Sequence, residues 1–202
     1  NSSTGAITVA NSTNLNREAI SLVTLTVQVS DNGPGSARTG STSVTINVTD
    51  LNDVTPVVTA GQSATIAENL ANGSAVLTLA ATDGDVTATT FQNWTITGGT
   101  GSTAFAIASS TGAVTVLDSA QLNYESATSF TLLVTVSDGA NTSAAQTVTI
   151  NLSDLNDVTP VVTAGQSATI AENFANGSSV LTLAATDGDA TATTFQSWTI
   201  TG

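Results

Sequence analysis

The chain repeats itself with a period close to the size of a whole domain. Residues 56–97 match residues 160–201 at 38 of 42 positions, at an offset of 104. Residues 2–31 match residues 109–138 at 17 of 30 positions, at an offset of 107, because the Gly-Pro-Gly segment at 32–40 is longer than its counterpart. A period of about 100 residues is too long for a solenoid repeat and fits an independent folding unit. The sequence therefore predicts tandem domains.

Two copies of the segment Asp-Leu-Asn-Asp-Val-Thr-Pro mark the predicted domain boundaries, at residues 50–56 and 154–160. Each copy is a short polar linker between strand-like patterns, as expected where few contacts cross from one domain to the next. These boundaries predict three parts. They are the C-terminal part of one repeat at 1–53, a complete repeat at 54–157, and the N-terminal part of a further repeat at 158–202.

Alternating apolar and polar residues predict β-strands in the complete repeat. Apolar side chains occupy every second position at 130–136 and again at 148–152, which fits strands that bury one face. Six shorter segments are further strand candidates, at 56–60, 64–67, 75–81, 91–97, 104–108 and 113–117. Thr and the β-branched apolar residues are abundant, and no segment predicts a long helix. Short strands separated by Gly, Asn and Asp turns predict an all-β fold of tandem Greek-key β-sandwich domains, immunoglobulin-like and joined end to end.

Composition excludes several classes of function. The net charge is −13 with two Arg and no Lys, so we expect no binding to nucleic acid or to anionic lipid. His, Cys and Lys are all absent, which leaves few groups for catalysis and predicts that the chain is not an enzyme. No run of 18 apolar residues occurs, so direct membrane insertion is not expected.

The acidic residues follow the repeat. Of 15 Asp and Glu residues, Asp118 alone stands opposite a neutral residue, Asn11. The other fourteen form the pairs Glu18/Glu125, Asp31/Asp138, Asp50/Asp154, Asp53/Asp157, Glu68/Glu172, Asp83/Asp187 and Asp85/Asp189. Carboxylates that serve solubility need not recur in this way. Hard divalent cations take oxygen ligands, and no Cys or His is present for zinc or copper, so the pattern predicts a repeated calcium site.

Two simpler interpretations apply to the same acids. A single Asp-x-Asp or Asp-Gly is equally well explained as an ordinary turn, since Asp bends and caps loops. Near-identical repeats also keep residues that have no function. Against the first, each like-charge carboxylate pair at 4–5 Å costs about 1 kcal/mol or more, so a converging set needs a cation. Against the second, both acids persist in the less similar segment at residues 2–31, where Asn11 and Asp118 differ.

Five motifs in a fixed order resemble a cadherin repeat. They are Ala-Glu-Asn at 67–69 and 171–173, Asp-Gly-Asp at 83–85 and 187–189, Leu-Asn-Arg-Glu at 15–18 with Leu-Asn-Tyr-Glu at 122–125, the turns at Asp31 and Asp138, and the two linkers. The resemblance spans the whole chain. It implies cadherin-type sandwiches of about seven strands, strung end to end, with calcium ions clamped at each junction between repeats.

The resemblance also implies which residues would bind calcium. The first junction would use Glu18, Asp50, Asn52, Asp53, Asp83, Asp85 and Asp138, with the backbone carbonyls of Leu51 and Val54. The second would use Glu68, Glu125, Asp154, Asn156, Asp157, Asp187 and Asp189, with the carbonyls of Leu155 and Val158. The remaining acids, Asp31 and Glu172, would serve outer junctions. Where the family has an Asp in its Leu-Asp-Arg-Glu turn, this chain has Asn16 and Asn123, which should weaken the outermost ion site.

The leading functional hypothesis is a calcium-rigidified extracellular rod or spacer of a bacterial cell-surface adhesin, acting in cell adhesion. Its partners would be neighbouring repeats or further copies of itself, and its adhesive target is not indicated. One alternative is a subunit of an extracellular filament or sheath, whose partial end domains are completed by neighbouring chains. Another is a carbohydrate-binding module that uses Trp94 and Trp198, although we expect both to be core residues of their strands.

Overall fold

The computed structural model describes residues 1–87, 90–190 and 194–202. In chain order, its strands are β1 (Leu22–Ser30), β2 (Thr39–Asn47), β3 (Val57–Val58), β4 (Ser63–Ala67), β5 (Ala75–Thr78), β6 (Ala81–Thr82), β7 (Gln92–Gly98), β8 (Phe105–Ile107), β9 (Ala113–Val116), β10 (Ser129–Ser137), β11 (Gln146–Ser153), β12 (Val161–Val162) and β13 (Ala185–Thr186). Two short 3-10 turns, Ser12–Asn14 and Ser119–Gln121, precede β1 and β10. Within these described ranges, no helix is long and apolar enough to cross a membrane.

Strands β3 to β11 form a β-sandwich, called the central sandwich below. One sheet has the order β4-β11-β10-β7, in which β4 and β11 are parallel and the other pairs antiparallel. Antiparallel strands in the order β5-β9-β8 form a second sheet, and β3 pairs with β6. The predicted all-β sandwich fold is confirmed.

The core of the central sandwich comes mainly from β10 and β11. Leu132, Val134 and Val136 on β10 are 0% exposed, and so are Val148 and Ile150 on β11. These side chains lie at alternate positions, so the two strands predicted from the alternation at 130–136 and 148–152 are confirmed. Full burial of a side chain of this size contributes about 1.5–3 kcal/mol, so this face contributes strongly to stability.

The shorter predicted strands all overlap observed ones, but the prediction of a single strand at 75–81 is wrong. This segment forms two strands in different sheets, since β5 pairs with β9 and β6 pairs with β3. Between them, the Leu79 N–H donates to the Gly112 carbonyl (2.9 Å) and the Ala80 N–H donates to Gln62 Oε1 (2.7 Å). Because these loop contacts satisfy the backbone, the chain can cross between sheets without leaving a buried donor unpaired.

Two flanks adjoin the central sandwich. The N-terminal flank, residues 1–53, holds the β1–β2 hairpin with nine paired residues on each strand. The C-terminal flank, residues 158–202, holds the short β12–β13 pair. The structural elements repeat at the sequence offsets, since β1 lies 107 residues before β10, and β3 and β6 lie 104 residues before β12 and β13. The division at 1–53, 54–157 and 158–202 is consistent with these elements and stays a prediction.

The two tryptophans have different environments. Trp94 is 4% exposed and lies in the core of the central sandwich, as predicted. Trp198 is 45% exposed, so the prediction that it is a core residue is wrong in this structure. Trp94 is covered partly by the turn at Gly112, where an added Cβ would stand 3.0 Å from the indole ring. Residues 158–202 contain no counterpart of that turn, which explains the exposure of Trp198.

Substitution of Gly99 by alanine should destabilise the central sandwich by at least about 2 kcal/mol. Gly99 has φ +100°, and a Cβ there would stand 2.2 Å from the Thr131 carbonyl oxygen, so the backbone of β10 would have to shift. Urea unfolding followed by circular dichroism measures the change. Gly73→Ala is the matched control, since Gly73 has φ +82° with open space around it and should lose only about 1 kcal/mol. Equal losses for the two variants would contradict the steric argument.

Candidate metal centres at the two linkers

Carboxylates from separate segments of the chain meet at the first linker. Carboxylate oxygens of Glu18, Asp50 and Asp85 lie within 4.8 Å of one another. A second group at the same distance consists of Asp83, Asp85 and Asp138, so Asp85 belongs to both. Asp85 and Asp138 are each 7% exposed. Five acids from the N-terminal flank, the linker and the central sandwich thus form one cluster.

The second linker has a cluster of the same kind. Glu125, Asp154 and Asp189 lie within 4.8 Å of one another, at the positions that correspond to Glu18, Asp50 and Asp85. A further group at this linker joins Glu125 to two other acids, which are Glu68 and Asp157. The sequence repeat therefore produces the same spatial arrangement twice, since the carboxylates of the same three positions lie close together at both linkers.

The two clusters lie at opposite ends of the central sandwich. Asp138 directly follows β10, whereas Glu68 and Asp154 directly follow β4 and β11. Because β10 and β11 are antiparallel, and β4 is parallel to β11, these strand ends point in opposite directions. Each cluster consequently occupies the boundary between the central sandwich and one flank.

Backbone N–H groups of the linkers hold the carboxylates in place. The Val54 N–H donates to both oxygens of Asp85, at 3.3 and 3.0 Å. The Val158 N–H donates to both oxygens of Asp189 in the same way, at 3.1 and 3.2 Å. Thr87 donates to Asp50 Oδ2 through its backbone N–H, at 2.7 Å, and through its hydroxyl. Donors of this kind fix the orientation of a carboxylate before any ligand arrives.

Glu68 is the most deeply buried of the acids at the second linker, at 4% exposure. Its Oε2 accepts a hydrogen bond from the Tyr124 N–H (2.6 Å) and its Oε1 accepts one from the Leu155 N–H (2.7 Å). The side chain thereby ties the turn before β10 to the start of the second linker. Replacing it would leave two backbone donors without their acceptor.

The environment of Asp85 disfavours its charged form. Burial raises the pKa of Asp85 above its usual value, against the lowering effect of the Val54 and Asp53 N–H donors. The neighbouring charges of Asp83 and Asp50 raise it further. A carboxylate that is buried among like charges calls for a nearby cation.

Burial also affects the pKa of two further acids of the clusters, with different outcomes. Burial raises the pKa of Asp157, and the charge of Glu68 adds to the effect. Burial also acts to raise the pKa of Asp138, but the N–H groups of Asn141 and Ala140 outweigh it and hold that pKa below its usual value. These hydrogen bonds therefore favour the charged form of Asp138, although other carboxylates lie close to it.

Two carboxylate oxygens at the first linker are available to bind a cation. Asp50 Oδ1 and Asp83 Oδ2 are buried and have no hydrogen-bond donor in the described part of the chain. Asn52 lies against the same acids, and with its amide turned over its side-chain nitrogen donates to Asp138 Oδ2 (3.1 Å) and to Asp85 Oδ2 (3.2 Å). The two buried carboxylate oxygens without a donor are therefore the atoms that point to a cation here.

The donor set selects the type of cation. It consists of carboxylate and amide oxygens, with two Arg and no Lys in the whole chain to neutralise them. Oxygen-only sites with several carboxylates are typical of calcium, which accepts six to eight ligands with flexible geometry. The residues present at both linkers thus fit calcium.

Some of the predicted ligands lie beside the clusters without joining the groups above. The backbone N–H of Asp53 donates to Asp85 Oδ1 (3.4 Å), and Asp187 Oδ1 accepts from the Asp189 N–H (3.1 Å). Asn156 is exposed. Asp53 and Asp187 are not members of the groups whose carboxylate oxygens all lie within 4.8 Å of one another.

The two remaining acids, Asp31 and Glu172, lie apart from both clusters. Asp31 accepts from the Arg38 N–H (3.0 Å), and Glu172 is exposed. That both serve other junctions stays a prediction.

The predicted backbone carbonyl ligands have other contacts here. The Val54 carbonyl accepts from Asn141 Nδ2 (3.2 Å). Leu155 and Val158 contact the acids through their N–H groups. Leu51 is 70% exposed. A role for these four carbonyls stays a prediction.

Sequence reasoning missed three residues that position the site, which are Thr87, Asn141 and Tyr124. Thr87 donates to Asp50, Asn141 donates its N–H to Asp138 Oδ1 (2.7 Å), and Tyr124 donates its N–H to Glu68. All three contacts use a backbone N–H, which carries no sequence signal. Asn141 offers a weak signal, since it stands three residues after an Asp in a turn.

Comparison with known proteins agrees with the fold and the motifs. The Cadherin domain family matches residues 62–153. Mouse Protocadherin Fat 4 is 37% identical over 98% of this chain, and mouse Cadherin EGF LAG seven-pass G-type receptor 1 is 35% identical over 93%. The chain spans 4% and 6% of the length of these two relatives.

A solved structure, mouse Cadherin-23 EC22-24, is similar to 86% of this chain with a TM-score of 0.62 and 28% identity, and the match covers 56% of that structure. Cadherin domains are adhesion modules and not enzymes, in agreement with the absence of catalytic groups predicted from composition. The predicted resemblance is thus confirmed, and this chain belongs to the cadherin family.

Proposed function

We propose that this chain is a calcium-rigidified segment of an extracellular rod, acting as a spacer in a cell-surface adhesin. The observation that carries the proposal is the recurrence of one carboxylate triad at both linkers, Glu18–Asp50–Asp85 and Glu125–Asp154–Asp189. A triad that served one domain alone would not need to reappear at the next boundary. A triad that joins domains would reappear wherever two of them meet.

In this proposal, calcium binds at both linkers. At the first it is held by Glu18, Asp50, Asn52, Asp83, Asp85 and Asp138, and at the second by Glu68, Glu125, Asp154, Asp157 and Asp189, with Asp53, Asp187 and Asn156 completing the sets. The ion supplies the positive charge that the chain lacks. Each linker then connects neighbouring domains at a fixed angle, because ligands from both sides share one ion.

Several finer features belong to the same proposal. The chain comprises parts of three repeats, divided at 53/54 and 157/158. Cell adhesion by a larger extracellular protein is supported by the family, although the chain spans a small fraction of its relatives. A bacterial source stays a prediction. The carbohydrate-binding alternative loses support at Trp94, which is 4% exposed and not available to stack on a sugar, whereas Trp198 is 45% exposed.

Removal of calcium is expected to lower the melting temperature by at least about 5 °C and to make the chain more flexible. The physical reason is that carboxylates at 4.8 Å or less repel one another once the shared cation is gone. Thermal melts and small-angle X-ray scattering, in about 5 mM calcium and then in excess chelator, measure both effects. Magnesium at the same concentration is the control, since it accommodates such protein-only cages poorly. An unchanged melting temperature and an unchanged scattering profile would overturn the proposal.

A further inference from the structure

One strand pair of the central sandwich connects the two linkers. After the first linker, the chain passes through the two-residue strand β3 and then forms β4, and β11 ends directly before the second linker. β4 and β11 pair with each other in parallel, whereas β10 pairs with both of its neighbours antiparallel. Tension between the two linkers would therefore enter the sheet at β4 and leave it through β11.

Tension of this kind loads the β4–β11 pair along its length. β4 would be pulled at its N-terminal end and β11 at its C-terminal end, and these ends face opposite linkers because the strands are parallel. The hydrogen bonds between the strands lie across the pull, so they share the load and must break together. If the strands were pulled apart from one end, the same bonds would break one after another. The parallel arrangement is therefore the one that resists tension.

The ladder of hydrogen bonds between the two strands extends beyond the five residues that pair on each strand. Before β4, the Gln62 carbonyl accepts from the Thr149 N–H (3.2 Å), and after β4 the Glu68 N–H donates to the Ser153 carbonyl (3.4 Å). Glu68 Oε1 then accepts from the Leu155 N–H (2.7 Å). A side chain thus continues the ladder into the second linker.

The ladder is protected from water on its inner side. Ile66 on β4 is 8% exposed, and its partner Leu152 on β11 is 5% exposed. Ile150, which is 0% exposed, lies on the same face of β11. Hydrogen bonds in such an apolar setting are stronger than bonds that water can reach, so they open more slowly.

Gln62 fixes the point at which tension would reach β4. Its side-chain amide donates to the Thr59 carbonyl (3.0 Å) and to the Ala80 carbonyl (3.1 Å), and its Oε1 accepts from the Ala80 N–H (2.7 Å). These bonds tie the segment between β3 and β4 to the segment between β5 and β6. Gln166 makes the three equivalent contacts one repeat later, so this device recurs with the repeat.

We propose that the β4–β11 ladder is the force-bearing element of the repeat, bounded by Gln62 at one end and by Glu68 at the other. Tension along the chain is then resisted inside the domain and not at the linkers alone. This inference rests on the proposed rod function in one respect, which is that a rod delivers tension through both linkers. β3 pairs with β6 over two residues and would detach first, after which Gln62 passes the load to β4.

Two placements of pulling handles test the proposal without changing the ladder. The chain has no Cys, so two introduced cysteines are its only thiols and can carry the handles. The lengthwise pair is Thr55→Cys with Thr159→Cys, because these exposed positions lie in opposite linkers. The end-on pair is Thr55→Cys with Ala145→Cys, because Ala145 is exposed and directly precedes β11. Optical tweezers at constant force measure the unfolding rate of the central sandwich.

At equal force, the lengthwise pair is expected to unfold at least about tenfold more slowly than the end-on pair, since it must break the ladder bonds together. Both pairs are measured in excess chelator, so that no metal contributes to the resistance. Equal rates, or faster unfolding of the lengthwise pair, would contradict the proposal.

Glu68→Ala tests the end of the ladder, and Glu125→Ala is the matched control. Both acids belong to one carboxylate group, but it is Glu68 that accepts from the Leu155 N–H. In chelator, Glu68→Ala is expected to unfold the lengthwise pair at least about tenfold faster, and Glu125→Ala to stay within about twofold of the parent. In the end-on pair, Glu68→Ala is also expected to stay within about twofold, because the ladder opens from the Gln62 end.

Equal acceleration by Glu68→Ala in both geometries would show a general loss of stability and would refute its place in the ladder. Equal acceleration by Glu68→Ala and Glu125→Ala would place the resistance in the carboxylate cluster and refute it as well. Circular dichroism before pulling confirms that each variant is folded. The chelator melts test calcium binding separately, so a failure here leaves that proposal standing.

Discussion

Substitution of Trp94 by alanine is expected to lower the free energy of unfolding of the central sandwich by about 3–5 kcal/mol. Trp94 is 4% exposed, and its ring packs edge-on against Phe91 with ring centroids 6.5 Å apart. It also fills the space above Gly112, where an added Cβ would stand 3.0 Å from the indole. Truncation would leave a large cavity that the β-sheet backbone around it cannot collapse to fill. Urea unfolding followed by far-ultraviolet circular dichroism measures the loss.

Trp198→Ala is the matched control, since Trp198 occupies the same motif but is 45% exposed. We expect it to change the free energy of unfolding by less than about 0.5 kcal/mol. Similar losses for the two variants would contradict the difference in burial between the repeats. A folded Trp94→Ala variant that had lost binding to a glycan would revive the carbohydrate-binding alternative.

The sequence predicted the fold well, because the strands carry their burial pattern in their own residues. The alternation at β10 and β11 is strong enough to identify both strands from the sequence alone. The boundary between β5 and β6 could not be predicted in this way. It depends on Gln62, whose side chain contacts the backbone at residues 59 and 80, and a pattern confined to one segment carries no information about such a contact.

The candidate site was predictable at the level of residue types and less so at the level of contacts. Recurring acids identified the ten clustered carboxylates, but their orienting partners are mostly backbone N–H groups, which every residue possesses. The packing of each linker against the loop that faces it could not be predicted from the sequence either. A Cβ on Gly84 would stand 3.1 Å from Val54 Cγ1, and one on Gly188 would stand 3.1 Å from Val158 Cγ1. The side chain of Val54 thus packs against a facing loop that has room for a glycine and little more.

Substitution of Asp85 by asparagine is expected to weaken calcium binding at the first linker by at least about tenfold, or about 1.4 kcal/mol. Asp85 belongs to both carboxylate groups at that linker, so its loss removes one ligand oxygen and one negative charge from each. Asparagine keeps the shape and one acceptor oxygen for the Val54 N–H. Isothermal titration with calcium measures the affinity. Asp189→Asn, the equivalent change at the second linker, should weaken the other set of sites and leave the first intact.

The same substitution should have opposite effects on stability with and without calcium. In calcium, Asp85→Asn is expected to lower the melting temperature, because a ligand is lost. In chelator it is expected to raise it, because burial and the charges of Asp83 and Asp50 already raise the pKa of Asp85 and disfavour its ionised form. Asp118→Asn is the control, since it removes the same charge at a 3-10 turn that asparagine can also cap. It should shift both melts equally and slightly. A loss of stability in both conditions for Asp85→Asn would show that the carboxylate serves its backbone donors and not a cation.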